Sequence, residues 1–162
     1  KSTFAPLFLK IHMNTKTIAG YRELLNVTKT ATLKELKTIY RNCIKECHPD
    51  KFVGDNASEQ AEAQSTAIIE AYHFLVSIAP ETQEKVRESY ENTTKNSGIL
   101  EFYMEKGALY ITFLDGSKFE YFGVPKNTYI KMVNAESPAR FARRHIYTNF
   151  LYRSANKLVA AE

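Results

Sequence analysis

The stretch that decides the fold is Lys45-Glu-Cys-His-Pro-Asp-Lys-Phe52 (KECHPDKF), which sits where a helical pattern stops. Upstream of it, Leu33, Leu36, Tyr40, Cys43, Ile44 and Cys47 recur at helical spacing and form one apolar stripe. Thr32-Leu-Lys-Glu35 opens that helix as a capping box, the Thr hydroxyl and the Glu carboxylate satisfying free backbone donors. Cys47 should be its last residue, because the position before a Pro-containing turn leaves the α region and Pro49 has no donor. His48, Pro49 and Asp50 are thereby left on a stiff loop.

Such a triplet could belong to a metal site, a catalytic dyad, a solvated turn or a contact surface. A structural zinc site needs four ligands, and no second pair stands at zinc spacing near Cys43, Cys47 and His48. Both cysteines also lie on the apolar stripe, where a free thiol behaves as a small hydrophobe. Cys47 and His48, adjacent at a helix end, point apart and have no third group to orient them. No metal, cofactor or catalytic residue is therefore expected, and the protein reads as a non-enzyme. What raises the loop above an ordinary turn is its neighbourhood. Lys34, Lys37, Arg41 and Lys45 form a second stripe, whose centre lies roughly 110° from the apolar one at ~100° per residue. A basic helix face running toward a rigid loop that offers an imidazole and a carboxylate suits an acidic protein partner.

The remaining helices frame this one. Tyr21-Arg-Glu-Leu-Leu-Asn-Val27 reads as a short first helix. Asn56-Ala-Ser-Glu59 offers a second capping box, opening a long helix to about Ser77 with Ile68, Ala71, Tyr72, Leu75 and Ile78 inward. Pro80, followed by Glu81, starts a last helix to about Tyr90. Residues 91–98, ENTTKNSG, carry turn formers and no apolar side chain, which predicts a linker at 93–98. The opening KSTFAPLFLKIHMN has a short apolar patch broken by Pro6, Lys10 and His12, with Met13 a candidate native start; the extension 1–16 is given no role.

Beyond the linker the period changes to two. Ile99–Met104, Leu109–Leu114 and Ser117–Phe122 read as strands, with turns at Lys106-Gly107 and Asp115-Gly116. A three-residue loop, Leu114–Gly116, with Gly116 left-handed, sets Leu109, Ile111, Phe113, Phe119 and Tyr121 on one face, whereas a two-residue loop would pair Ile111 with Glu120. Tyr103, Tyr110 and Phe122 are left as candidates for an exposed face. Pro125 opens a helix to about Glu136, and a shorter one follows Ser137-Pro138. The expected class is α+β: four helices with an antiparallel hairpin, then a three-stranded antiparallel sheet with two helices and a tail at 154–162.

With these elements in order, residues 17–92 resemble the J-domain of DnaJ-type co-chaperones. The resemblance is carried by Tyr21–Val27, by Tyr40-Arg41 through His48-Pro49-Asp50-Lys51, by Ile68-Ile-Glu-Ala-Tyr72 with Leu75, and by Lys85-Val-Arg87 with Tyr90. It implies that the basic face of the second helix (Lys34, Lys37, Arg41, Lys45) and the loop His48, Pro49, Asp50 and Lys51 dock on a DnaK-type chaperone ATPase. There Asp50 would engage a basic group, His48 would hydrogen-bond nearby polar groups, and Pro49 would hold the loop. The partner then hydrolyses ATP faster and traps its client; this chain breaks no bond. The chain departs from the family pattern at Glu46, where a lysine is common, at Asn42, where a second basic residue often stands, and at Cys47, which replaces an aromatic.

Residues 98–153 resemble the KTSC domain, found at the C-terminus of some lysyl-tRNA synthetases. The carriers are Leu109-Tyr-Ile-Thr-Phe113, Asp115-Gly116, Phe119-Glu-Tyr-Phe-Gly-Val-Pro125 and Ala135-Glu-Ser137, followed by Phe141 and Ile146. For that family RNA binding has been suggested. Arg140, Arg143, Arg144, Arg153 and Lys157, with Tyr147 and Tyr152 interleaved and no acid between, form the matching cluster. The alternative to a co-chaperone is thus an RNA-binding or protein-interaction adaptor on a J-like scaffold that has lost stimulation.

The totals fit both readings. Residues 97–162 hold nine basic and six acidic side chains, against thirteen and twelve in residues 1–96, so the excess of basic charge is concentrated in the C-terminal part. Two cysteines four apart suggest no disulfide framework, which points to a reducing, cytoplasmic setting. No apolar run approaches the ~20 residues of a membrane span, and no membrane partner is expected. No Gly/Phe-rich stretch or Cys-rich zinc module is present, so a specialised role with an unknown client follows more naturally than general folding assistance.

Overall fold

A computed structural model describes residues 15–52 and 54–156. The N-terminal extension through residue 14 and most of the tail, including Lys157, lie outside them. The first unit comprises α1 (Thr15–Leu25), α2 (Leu33–Cys47), α3 (Asp55–Ser77) and α4 (Pro80–Asn96). The second comprises β1 (Ile99–Glu105), β2 (Ala108–Phe113), β3 (Lys118–Phe122), α5 (Lys126–Val133), α6 (Pro138–His145) and β4 (Leu151–Ser154). The architecture is α+β.

The α2–α3 hairpin follows from its two apolar stripes. Tyr40 stacks on Tyr72 at 4.2 Å, while Cys47, later in α2, meets Ser65, earlier in α3, so the helices run antiparallel. The Thr32/Glu35 capping box forms as expected, and α2 ends at Cys47. The box expected at Asn56 does not form. The helix begins two residues earlier than that box would place it, at Asp55, with Gly54 in the cap position at φ +118°, a conformation that favours glycine. Asn56 is already inside the first turn.

The expected linker is mostly helix. α4 runs to Asn96, and Ser97 caps it through its backbone amide to the Thr93 carbonyl. Tyr90 explains the extension. It is buried in the core of the second unit with Leu109, Ile111 and Phe119, stacks on Tyr152 at 3.6 Å, and donates its hydroxyl to the Tyr147 carbonyl. Thr93, also buried, donates to Asp115 in the β2–β3 turn at 2.7 Å. The residues look like turn formers, but their side chains have partners in the sheet. At its other end α4 touches the first unit at the surface, where the Glu81 carboxylate accepts the Leu33 amide of α2. One helix therefore contacts both units, and Tyr90 places it in the core of the second.

The sheet has four strands, not three, in the order β1-β2-β3-β4 and all antiparallel. The β2–β3 turn is the three-residue form: Phe113 donates to Ser117, Gly116 has φ +86°, and Leu109 and Ile111 face Tyr121 and Phe119. That face is covered by α5, α6 and Tyr90, with Met132, Ala142 and Ile146 fully buried. Met132 and Ala142 are inward positions of the two short helices, and Ile146 caps the end of α6. The fourth strand, Leu151–Ser154, falls in the segment read as a basic cluster; its four residues are too few to show a period.

The opposite sheet face is covered at its Phe122 end. Phe122, expected outside, is 1% exposed, because Phe74 of α3 packs against it edge-on at 5.3 Å. Burying each ring contributes about 1.5–3 kcal/mol. Across this seam Arg153 of β4 lies over both Phe74 and Phe122, at 4.7 and 5.4 Å. Its guanidinium donates to the buried Glu120 at 2.6 Å and to Ser77 of α3 at 3.2 Å, while Tyr110 donates to the other Glu120 oxygen at 2.8 Å. A charge buried this deeply on a strand is tolerated only when paired and hydrogen-bonded, and Arg153 provides both.

Candidate functional site

The end of α2 is held from below. The Ser65 hydroxyl of α3 donates to the Cys47 carbonyl at 3.1 Å, satisfying one of the acceptors a helix C-terminus leaves free. Cys47 is buried, and its thiol donates to the Cys43 carbonyl at 3.0 Å. Burial, with Glu46 nearby, pushes the Cys43 thiol up from its ordinary pKa, so it is less of a nucleophile than a free cysteine. The cysteines are free thiols, as the apolar stripe implies.

From that fixed point the chain turns through His48, whose ψ of 130° ends the helix, into a single 3-10 turn over Pro49–Lys51. The Lys51 amide closes the turn on the His48 carbonyl at 3.0 Å. His48 Nδ1 lies 3.3 Å from the Asp50 amide and 3.3 Å from Asp50 Oδ2. A neutral imidazole with its lone pair at Nδ1 accepts the amide, whereas a protonated one donates to the carboxylate. Either arrangement holds the ring beside the carboxylate. Asp50 remains 88% exposed and His48 half-exposed, so both present free polar atoms to a partner.

Lys34, Lys37, Arg41 and Lys45 are all exposed, as is Lys51 beyond the loop. The structure thus places Lys34, Lys37, Arg41 and Lys45 on α2's outer face and His48, Asp50 and Lys51 on the turn that follows it. Glu46 is exposed at the edge of that surface, one residue before Cys47. The second unit packs on the Phe74 side of α3 and leaves this face uncovered.

The C-terminal basic cluster comes apart. Arg140, Arg143 and Arg144 are exposed on α6. Arg153 is held in the seam between the units by Glu120, Ser77, Phe74 and Phe122. The two aromatics proposed for stacking are turned inward: Tyr147 is 6% exposed in the core, and Tyr152 is stacked on Tyr90. Lys157 lies outside the described residues. Tyr103 and Tyr110 do stack on each other at 5.1 Å on the sheet face, with Lys118 donating to the Tyr103 hydroxyl at 2.8 Å. Glu101, Glu105 and Glu120 share that face with them. Ser65 and Phe74 were not legible as functional positions; each is a lone residue whose importance comes from what α3 meets in space.

Among the described residues no group of three or more His, Cys, Asp or Glu stands where it could hold a metal ion. Among the same residues no helix is long and apolar enough to cross a membrane.

An antiparallel helical hairpin that ends in an exposed His-Pro-Asp turn, braced by a first and a fourth helix, defines a J-domain. Comparison with family models agrees: residues 21–91 match the DnaJ domain and residues 98–150 match the KTSC domain. The chain carries both domains. Among curated proteins it is similar to the chaperone protein DnaJ of Hydrogenobacter thermophilus, 38% identical over 79 residues, covering 49% of this chain and 19% of that one. It is 42% identical over 67 residues to the chaperone protein DnaJ of Mesomycoplasma hyopneumoniae, covering 40% and 17%. Against that of Francisella tularensis subsp. tularensis it is 46% identical over 55 residues, covering 34% and 14%. The chain thus spans less than a fifth of the length of these relatives. No solved structure matches it.

Proposed function

We propose that this protein is a J-domain co-chaperone. It docks on a DnaK-type chaperone ATPase through the basic face of α2 and the His48-Pro49-Asp50 turn, and it accelerates ATP hydrolysis by that partner. The KTSC domain supplies a location or a client. The observation that carries the reading is the Asp50 carboxylate, 88% exposed at the end of an uninterrupted basic stripe, on a turn anchored by Ser65 and free of the second unit. Lys34, Lys37, Arg41 and Lys45 steer the acidic partner, and Asp50 engages a cation near its hinge. The chemistry is the partner's; this chain contributes contacts, not a reacting group. The two free thiols suit a reducing cytoplasm.

The rival reading, an RNA-binding adaptor, has less support. Base stacking needs exposed aromatics, and Tyr147 and Tyr152 are committed to the core. Arg140, Arg143 and Arg144 alone would offer only phosphate contacts, which position a nucleic acid without reading it.

The test is hydrolysis by a DnaK-type ATPase under single-turnover conditions. Wild-type protein should accelerate it and Asp50→Asn should not, with both variants equally folded by circular dichroism. Equal stimulation by the two, or none by either, would sink the proposal.

A further inference from the structure

β1 is the first strand of the sheet, and among the described residues no strand pairs with its outer side. The other edge, β4, is treated differently: Gln83 of α4 donates its side-chain amide to the Tyr152 carbonyl. An uncovered edge is a template for another strand. The two-residue turn Lys106-Gly107, with φ of +49° and +80°, makes Glu105 and Ala108 a hydrogen-bonded pair. By antiparallel alternation the backbone groups of Phe102 and Met104 then point away from β2, toward the open edge.

Beside this edge lies an open groove of about 500 Å³. It is walled by Ile99–Phe102 on one side and by Glu136, Ser137 and the start of α6, Pro138 and Ala139, on the other. Leu100 stands at its rim, 63% exposed, at the bulge where the register slips between Ile99 and Glu101. Leu114, 66% exposed, adjoins the same end: its amide donates to the Gly98 carbonyl, and its side chain lies 2.9 Å from where a Cβ on residue 98 would be. These are the two most exposed large apolar side chains among the described residues. A bulge on an edge strand ordinarily keeps other strands away, but a protruding leucine on the bulge works against that purpose.

Charge selects the occupant. The ionisable residues lining the groove are Glu101 and Glu136, both exposed, and no cation lines it. Glu105 stands on the same face as Glu101, where Lys118 offsets part of their charge and the groove itself keeps Glu101 and Glu136. From this geometry we infer that the β1 edge and its groove bind an extended segment of a partner polypeptide as an added strand. Apolar side chains of that segment rest on Leu100 and Leu114, and a lysine or arginine meets Glu101 and Glu136. The co-chaperone reading makes that partner the client; the strand-binding site itself does not depend on it.

The experiment titrates the full chain with a fluorescent peptide of alternating apolar residues flanked by lysines. A glutamate-flanked version and a version N-methylated at alternate amides are run beside it. The lysine peptide should bind at least about tenfold more tightly than the glutamate peptide. N-methylation should abolish binding, Leu100→Ser should weaken it, and the pair Glu101→Lys and Glu136→Lys should reverse the charge preference. Equal affinity for both peptides, binding that survives N-methylation, or no saturable binding would each overturn the inference. So would a wild-type dimer in sedimentation that Leu100→Asp dissociates, which would assign the edge to a second copy of the chain. Asp50→Asn should leave peptide affinity unchanged. Peptide binding without ATPase stimulation would therefore break the co-chaperone reading alone, and stimulation without peptide binding would remove only this site.

Discussion

The molecule has two groups of basic side chains that look alike in sequence, and the fold treats them in opposite ways. On α2, Lys34, Lys37, Arg41 and Lys45 all reach solvent and lead to the His48–Asp50 turn. Between α6 and β4, Arg140, Arg143 and Arg144 reach solvent, while Arg153 neutralises a buried glutamate and Tyr147 and Tyr152 fill the core. The difference lies in how many elements each group spans. A stripe on one helix inherits its geometry from the 3.6-residue period, so its exposure follows from the apolar stripe beside it. A cluster that crosses a helix, a turn and a strand has no such period, and tertiary pairing decides each residue separately.

Three experiments probe that contrast, in descending order of effect. The first uses alkali. Burial pushes the Tyr90 and Tyr121 hydroxyls well above their ordinary value of 10.0, and that of Tyr147 up to about 12. The folded state holds these protons more tightly than the unfolded one. Their contribution is therefore fully present below pH 10 and is lost as pH rises through the folded values. Ultraviolet titration should show Tyr147 and its neighbours ionising together with global unfolding. Early, independent ionisation of Tyr147 would return it to the surface and revive the stacking role.

The second experiment compares arginines. Arg153→Ala leaves Glu120 buried without its cation and should cost about 3–5 kcal/mol in urea denaturation. Arg143→Ala should stay within about 0.5 kcal/mol. Similar values for the two would mean that the seam between the units is not built on Arg153. The third concerns Glu46, the acidic residue beside the proposed docking face. Glu46→Lys should strengthen association with a DnaK-type ATPase by about three- to tenfold at low salt, with the gain shrinking as ionic strength rises. No change at low salt would place Glu46 outside the contact.

Much of this architecture is legible in the residues. The capping box at Thr32, the stop at Cys47 and the left-handed Gly116 each rest on local chemistry that tertiary structure had no cause to override. The proposed docking surface is legible for the same reason, since its residues lie on one helix and its terminal turn. What was not legible depends on partners distant in sequence. Thr93 and Tyr90 keep α4 helical because Asp115 and the sheet core lie beside them. β4 is a strand because β3 offers an edge and Glu120 needs a cation. Phe122 is buried because it meets Phe74, with Arg153 over both rings. A lone glutamate on an otherwise buried strand was the one available hint of the seam, since such a charge requires a partner.

The contrast between the two basic groups is tested most directly by partner-ATPase stimulation measured across one set of variants. A DnaK-type chaperone is given ATP and increasing amounts of wild-type protein, Asp50→Asn, or the pair Arg143→Ala and Arg144→Ala. The account predicts stimulation by the wild type and by the α6 pair to the same plateau, and none by Asp50→Asn. Stimulation that survives Asp50→Asn, or that disappears with the α6 pair, would contradict it.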